Sequence, residues 1–336
     1  MRLKLAAALA ASAMMLASGA VVAEPVSTDH HVHVHSPAIL DFLPAYCSSL
    51  GRISACPEVF TRPLTVDDLL ADMDAAGVQR AWLMSTAYLA ESPMMVPARA
   101  DAADLIRAGN DFTVGLARSH PDRLSAFIGV NPLTPTAQPE IAHWADDPYA
   151  AGVKLHLTNS DVDLRDPVDV AALAAVFRAA TDSRKTIMIH MRTRARDYGA
   201  QDVRVFLKQL LPQARGGAVM IAHSGGWGGL DDNTWAAMTA FAEALEQDPK
   251  AGEGLYFDLA QVFDADTPDA DLMRLVALMR RIGVDRFVAG SDWPFSGPLD
   301  SYLNQALARL PLTAGELMQV RQKTLGLSSS LWVRDR

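Results

Sequence analysis

Eight short apolar runs with strand character recur along this chain, at 26–34, 80–85, 124–130, 152–157, 186–191, 218–223, 255–259 and 286–292. Between most of them lie longer amphipathic stretches that read as helices, at 66–76, 100–119, 139–144, 168–181, 202–211, 234–245 and 268–282. Thr65 is placed to cap the first, with Asp67 and Asp68 in its opening turn, where carboxylates meet the positive helix end. Thr267 is expected to cap the last, with Pro268 at its first helical position. Two short helices should close the chain. Parallel neighbours need a crossover connection, so strict alternation implies a parallel sheet. Eight units suggest closure into a (β/α)8 barrel. The competing architecture is an open doubly wound sheet, which a Gly-rich dinucleotide loop after the first strand would support. Histidines stand there instead.

Four of the chain's nine histidines are His30, His31, His33 and His35. Strand alternation points His31, His33 and His35 to one side together with Asp29, and His30 to the other. Two imidazoles two residues apart on one face can grip one divalent metal; the pair is His31 with His33, or His33 with His35. In a barrel, chemistry collects at the C-terminal strand ends. His190, His223 and Asp292 fall at such ends, and Lys154 and His156 sit at similar depth on the fourth strand. A single histidine there is ordinarily a satisfied polar residue. Imidazole and carboxylate on four converging strands make a nitrogen-rich site with room for water, which suits zinc.

The N-terminus reads as a secretory signal peptide. Arg2 and Lys4 precede an apolar stretch, and small residues follow up to Ala23. Cleavage is expected after Ala23, or alternatively after Ala20, leaving 24–336 as one domain in the periplasm or outside the cell. A transmembrane anchor is the competing reading, but an Ala-rich segment of about 19 residues is marginal for a bilayer. Export would expose Cys47 and Cys56, the only two cysteines, to an oxidising compartment. They close a short loop and are expected to form a disulfide; a cysteine metal site competes, although both lie outside the strands. The formal net charge is −9 with no basic stretch, which argues against nucleic acid as a partner. No later apolar run is long enough to cross a membrane.

Asp29-x-His31-x-His33, Ile187-Met-Ile-His190, Ile221-Ala-His223-Ser-Gly-Gly and Gly290-Ser-Asp292-Trp-Pro294 occur in this order on the first, fifth, sixth and eighth strands. Together they resemble the amidohydrolase superfamily, closest to its decarboxylase-like, amidohydrolase-related branch. The resemblance covers nearly all of the chain after residue 23. It implies that His31 and His33 are paired metal ligands, the Asp two residues earlier favouring them over His33 and His35. It implies His190 as a third nitrogen ligand and Asp292 as a ligand that also handles the proton of a bound water. His223 would stand beside the metal, assisting deprotonation or polarising a carbonyl. One divalent ion is implied, Zn2+ by ligand type, with Mn2+, Fe2+ and Co2+ as alternatives. Some superfamily members carry a carbamylated lysine bridging two metals on the fourth strand. In this branch Lys154 is expected instead to be a buried amine paired with a carboxylate. A homodimer is a family-level expectation.

Four residues are candidates for contact with a small-molecule substrate. Arg192 could hold a carboxylate bidentately, His156 shares the face of Lys154, Trp227 could form a wall within Gly225-Gly-Trp-Gly-Gly229, and His35 should lie at the barrel mouth. Asp258 reads as structural. The leading expectation is an exported hydrolase that cleaves an amide, ester or lactone through a metal-activated water. The alternative is non-oxidative decarboxylation of an aromatic or unsaturated acid. A second alternative, a non-catalytic binding barrel, fits poorly with His223 and Asp292 occurring together.

Overall fold

Eight parallel strands follow one another around a single sheet in the order β1 to β8. They are β1 (Thr28–Val32), β2 (Arg80–Met84), β3 (Leu124–Gly129), β4 (Ala150–His156), β5 (Thr186–His190), β6 (Val219–Ile221), β7 (Leu255–Asp258) and β8 (Phe287–Val288). They are taken from a computed structural model, which describes residues 24–52 and 54–326. The expected signal segment, 1–23, lies outside the described residues. The sheet closes on itself where His30 N–H donates to Ala289 O (3.1 Å), Asp292 N–H to His31 O (2.7 Å) and His33 N–H to Trp293 O (2.7 Å). The fold is a (β/α)8 barrel.

Two apolar layers follow from the strand pleat. One face of each strand packs against the surrounding helices, where Leu83, Ile128, Leu155 and Ile189 join the main core. The other face fills the barrel with Trp82, Met84, Phe127, Met188, Met220 and Val288. Trp82 stacks on Phe127 with ring centroids 4.7 Å apart. Gly152 makes room for that stack, since a Cβ there would lie 2.2 Å from the Phe127 ring. With the lower barrel plugged by large side chains, a ligand can enter only at the C-terminal strand ends.

The helices fall close to the apolar periodicity. Val66–Ala76 begins at a capping box of Thr65 and Asp68. Asp269–Ile282 departs from the expected cap: Pro268 is extended, and the Thr267 hydroxyl donates to Asp264 Oδ1. A helix at Pro37–Cys47, capped by Ser36 and carrying Pro44 inside it, was not foreseen. Immediately after it the Cys47–Cys56 disulfide pins the loop that follows β1, as the sequence suggested. Strands six and eight are shorter than their apolar runs. Beyond these strand ends His223, Ser224 and Asp292 adopt left-handed backbone (φ 52°, 51° and 67°), at a cost of order 1–3 kcal/mol per residue. Such strain persists where surrounding structure fixes it, and here it turns the two polar side chains over the barrel mouth.

Candidate active site

The histidine cluster departs from simple alternation through one irregularity. Asp29 pairs with Ala81 and Val32 with Leu83, so two residues, His30 and His31, stand opposite Trp82. This is a β-bulge, and it corrects the expectation that His30 faces away from His31 and that Asp29 shares their face. His30 turns inward, its ring edge-on to Trp82 at 4.7 Å and its Nδ1 bonded to Ala289 O at 2.8 Å. Asp29 ties down the far end of the closure, accepting from the N–H groups of His31 and Ser291 and from the Ser291 hydroxyl. Burial raises its proton affinity to about 7.

Above the bulge, His31 and His33 converge with Asp292. Their Nε2 atoms lie 3.2 Å apart, and Asp292 Oδ1 is 3.4 Å from His31 Nε2 and 3.1 Å from His33 Nε2. A second triad shares His31 with His223 and Asp258. The tautomers are set by the opposite ring nitrogens. His31 Nδ1 meets Asp258 Oδ2 (2.9 Å), His33 Nδ1 meets Met84 O (3.0 Å) and His223 Nδ1 meets Ala260 O (2.7 Å). Each acceptor requires the proton on Nδ1, so each Nε2 presents a lone pair to the same space. Histidine ligands are ordinarily held this way. Burial first, and then the charge of Lys154, pushes His31 well below the usual imidazole range. Burial likewise lowers His223, against the pull of Asp292. Neutral imidazoles and a carboxylate in this arrangement fit a divalent cation.

Two groups close behind them. Asp258, at the end of β7, accepts at Oδ1 from the N–H of His223 (2.7 Å) and of Ala260 (3.1 Å), besides holding His31. Its role reaches beyond framework support, because one carboxylate aligns both His31 and the His223 turn. Lys154 Nζ lies 2.9 Å from His31 Nε2, rather than against a carboxylate as expected. Burial lowers the proton affinity of its amine and raises that of Asp258. His190 stands on the next wall, its ring 5.2 Å from that of His223, outside both tight triads. Its Nδ1 is buried without a hydrogen-bond partner among the described residues. Its ring stacks on His156 at 3.9 Å, as expected for side chains paired directly across β4 and β5.

These groups floor a cavity of about 460 Å³, within the range that holds a small organic ligand. Its walls include His31, His33, Lys154, His156, His190, His223, Trp227 and Asp292. Trp227 is half exposed and stands edge-on to His190 at 5.0 Å. Arg192 and His35 do not line this cavity. Arg192 is drawn to Asp231 (3.3 Å) and lies over the Tyr198 ring, while His35 Nδ1 bonds Thr86 Oγ1 (2.8 Å) beneath Phe60. The guanidinium on the cavity wall is Arg52, which donates to Tyr46 Oη at 3.2 Å. Sequence reading missed it because the loop after β1 has no periodicity; its place inside the Cys47–Cys56 ring was the available signal.

The family model for Amidohydrolase matches residues 28–327. No curated protein matches the sequence. Among solved structures, a 5-carboxyvanillate decarboxylase from Sphingomonas paucimobilis is 17% identical, with 88% of this chain and 96% of that chain covered and a TM-score of 0.63. A 5-carboxyvanillate decarboxylase from Novosphingobium aromaticivorans, complexed with manganese and 4-hydroxy-3-methoxy-5-nitrobenzoic acid, is 16% identical, covering 89% and 94% with a TM-score of 0.59. A 2,6-dihydroxybenzoate decarboxylase from Rhizobium is 16% identical, covering 89% and 96% with a TM-score of 0.55. These likenesses correct the expectation of an amide, ester or lactone hydrolase in favour of the decarboxylase alternative, because these three similar structures are of decarboxylases.

Proposed function

Because the chain belongs to the amidohydrolase family, we propose that it is a divalent-metal-dependent, non-oxidative decarboxylase of an aromatic or unsaturated carboxylic acid. The observation that carries this reading is the lining of one cavity. A neutral imidazole–carboxylate cluster shares it with two cationic side chains, Arg52 and Lys154, under apolar groups such as Val59, Phe60, Met94 and Phe295. Fixed cations in an apolar enclosure suit a carboxylate attached to a flat, unsaturated carbon frame. The decarboxylases of similar fold support the choice of reaction.

His31, His33, His190 and Asp292 would hold the metal. When bound, it supplies a Lewis-acidic site for a substrate oxygen. The nitrogen-rich donor set favours Zn2+, and the manganese in the Novosphingobium structure makes Mn2+ the other ion to assay. Arg52 engages the carboxylate of the incoming acid. His223 Nε2, at the floor of the cavity and in the field of the Asp292 carboxylate, takes up the proton that the frame carbon receives. The bond between the frame and the carboxyl carbon breaks, its electron pair stays on the frame carbon, and the proton joins that carbon as CO2 leaves. No oxidant or reductant is needed. The Cys47–Cys56 bond supports the accompanying proposal of an oxidising, extracytoplasmic compartment. The test is CO2 release from a panel of aromatic acids by metal-loaded protein, with and without chelator.

A further inference from the structure

His156 differs from the other imidazoles around the cavity in the direction of its hydrogen bond. In His31, His33 and His223, Nδ1 faces an oxygen and must carry the proton. In His156, Nδ1 faces the backbone N–H of Asn159 at 3.3 Å and must accept. A neutral imidazole that accepts at Nδ1 carries its proton on Nε2. That Nε2 has no hydrogen-bond partner among the described residues, and the side chain lines the cavity. The ring is held in place on its faces and edge. It stacks on His190 at 3.9 Å and 13°, with Tyr88 at 5.3 Å and the edge of Trp227 at 5.8 Å.

We propose that His156 is a substrate-binding residue that donates a hydrogen bond from Nε2 to an oxygen of the bound acid. In this tautomer it offers the cavity no lone pair, so it is not a further metal ligand. It presents a preoriented neutral donor where its neighbours present acceptors. Such a donor fixes which edge of a flat acid meets the histidine floor. The inference deepens the reading of the cavity as an acid-binding site and rests on it.

Two variants separate this role from the capping of the Leu157–Ser160 turn, in which His156 accepts from Asn159. His156→Asn keeps a short acceptor for that N–H and removes the distal donor. His156→Gln places a donor near the Nε2 position and gives up the cap. The dissociation constant of 2-hydroxybenzoate is measured by calorimetry on metal-loaded protein, beside KM, kcat and the melting temperature. Hydrogen bonds to charged groups are the stronger class, so the Asn variant should bind about tenfold or more weakly at unchanged melting temperature. KM should rise with the dissociation constant, and the Gln variant should stay within about threefold of wild type. Wild-type affinity in the Asn variant, or equal losses in both variants, would overturn the proposal. Binding needs no turnover: if no acid releases CO2 but the Asn and Gln variants differ as expected, the reaction assignment fails and the role of His156 stands. Failure of the probe to bind wild-type protein overturns both.

Discussion

Asp258 holds His31 by a 2.9 Å hydrogen bond from Nδ1 to Oδ2, and that bond fixes which nitrogen of His31 can meet a metal. The other carboxylate oxygen is already engaged by the N–H groups of His223 and Ala260. In Asp258→Asn the amide oxygen would keep those backbone donors and the NH2 group would face His31. His31 would then have to accept at Nδ1 and protonate at Nε2, losing its ligand lone pair. Metal affinity is expected to fall about 10–100-fold, as for other residues that orient a ligand. A metal titration checks this, with circular dichroism to confirm the fold; unchanged affinity would remove Asp258 from the site.

Arg52→Met is expected to raise KM for the acid about tenfold or more while changing kcat and metal content little, since a guanidinium–carboxylate contact is among the stronger hydrogen bonds. Arg192→Met, whose guanidinium is turned to Asp231, should leave KM within about twofold. Steady-state kinetics on the two variants decide it, and the reverse pattern would return the carboxylate contact to Arg192.

Reduction should loosen the cavity roof. Ser54, Ala55, Pro57 and Phe60 line the cavity within or just beyond the ring closed by Cys47 and Cys56. A ring of about ten residues restrains the open chain by about 2–3 kcal/mol in the loop-entropy account. Tryptic cleavage after Arg52 is expected to accelerate in the Cys47→Ser/Cys56→Ser variant or after thiol treatment, read by mass spectrometry. Equal cleavage rates would show that contacts such as Ser49 Oγ with Met94 O suffice to hold the loop.

Much of the frame was legible in the sequence because the alternation of apolar runs is dictated by burial on both sheet faces. The turns beyond β6 and β8 were not, because His223 and Asp292 adopt left-handed backbone that no apolar pattern encodes. His31, His33, His223 and Asp292 could be placed from their positions at strand ends. The inward turn of His30 could not, since it follows from a bulge whose cause is the pairing with β2. Arg52 and Asp258 owe their places to one loop and one carboxylate geometry, both set by tertiary contacts.

The helix Ala314–Gln322 buttresses the start of β1, where Arg321 O accepts from Ser27 N–H at 2.9 Å. Arg280 and the N–H of Thr313 hold Glu316 down to about 2. A carboxylate depressed on folding stabilises the protein above its unfolded value, near 4.5, and that contribution fades as pH falls from there toward about 2. Glu316→Gln should therefore lower the denaturant midpoint at pH 7, with the gap to wild type shrinking below pH 4. A gap that is constant with pH would mean that the contribution is not one of charge.

The most direct test of the account is CO2 release from carboxyl-labelled hydroxybenzoates by the purified protein, before chelation, after it, and after readdition of Zn2+ or Mn2+. Labelled CO2 and the decarboxylated ring are expected in equal amounts, lost on chelation, restored by metal, and abolished in His31→Asn. CO2 release that survives chelation, or none from any acid with metal fully bound, would contradict it.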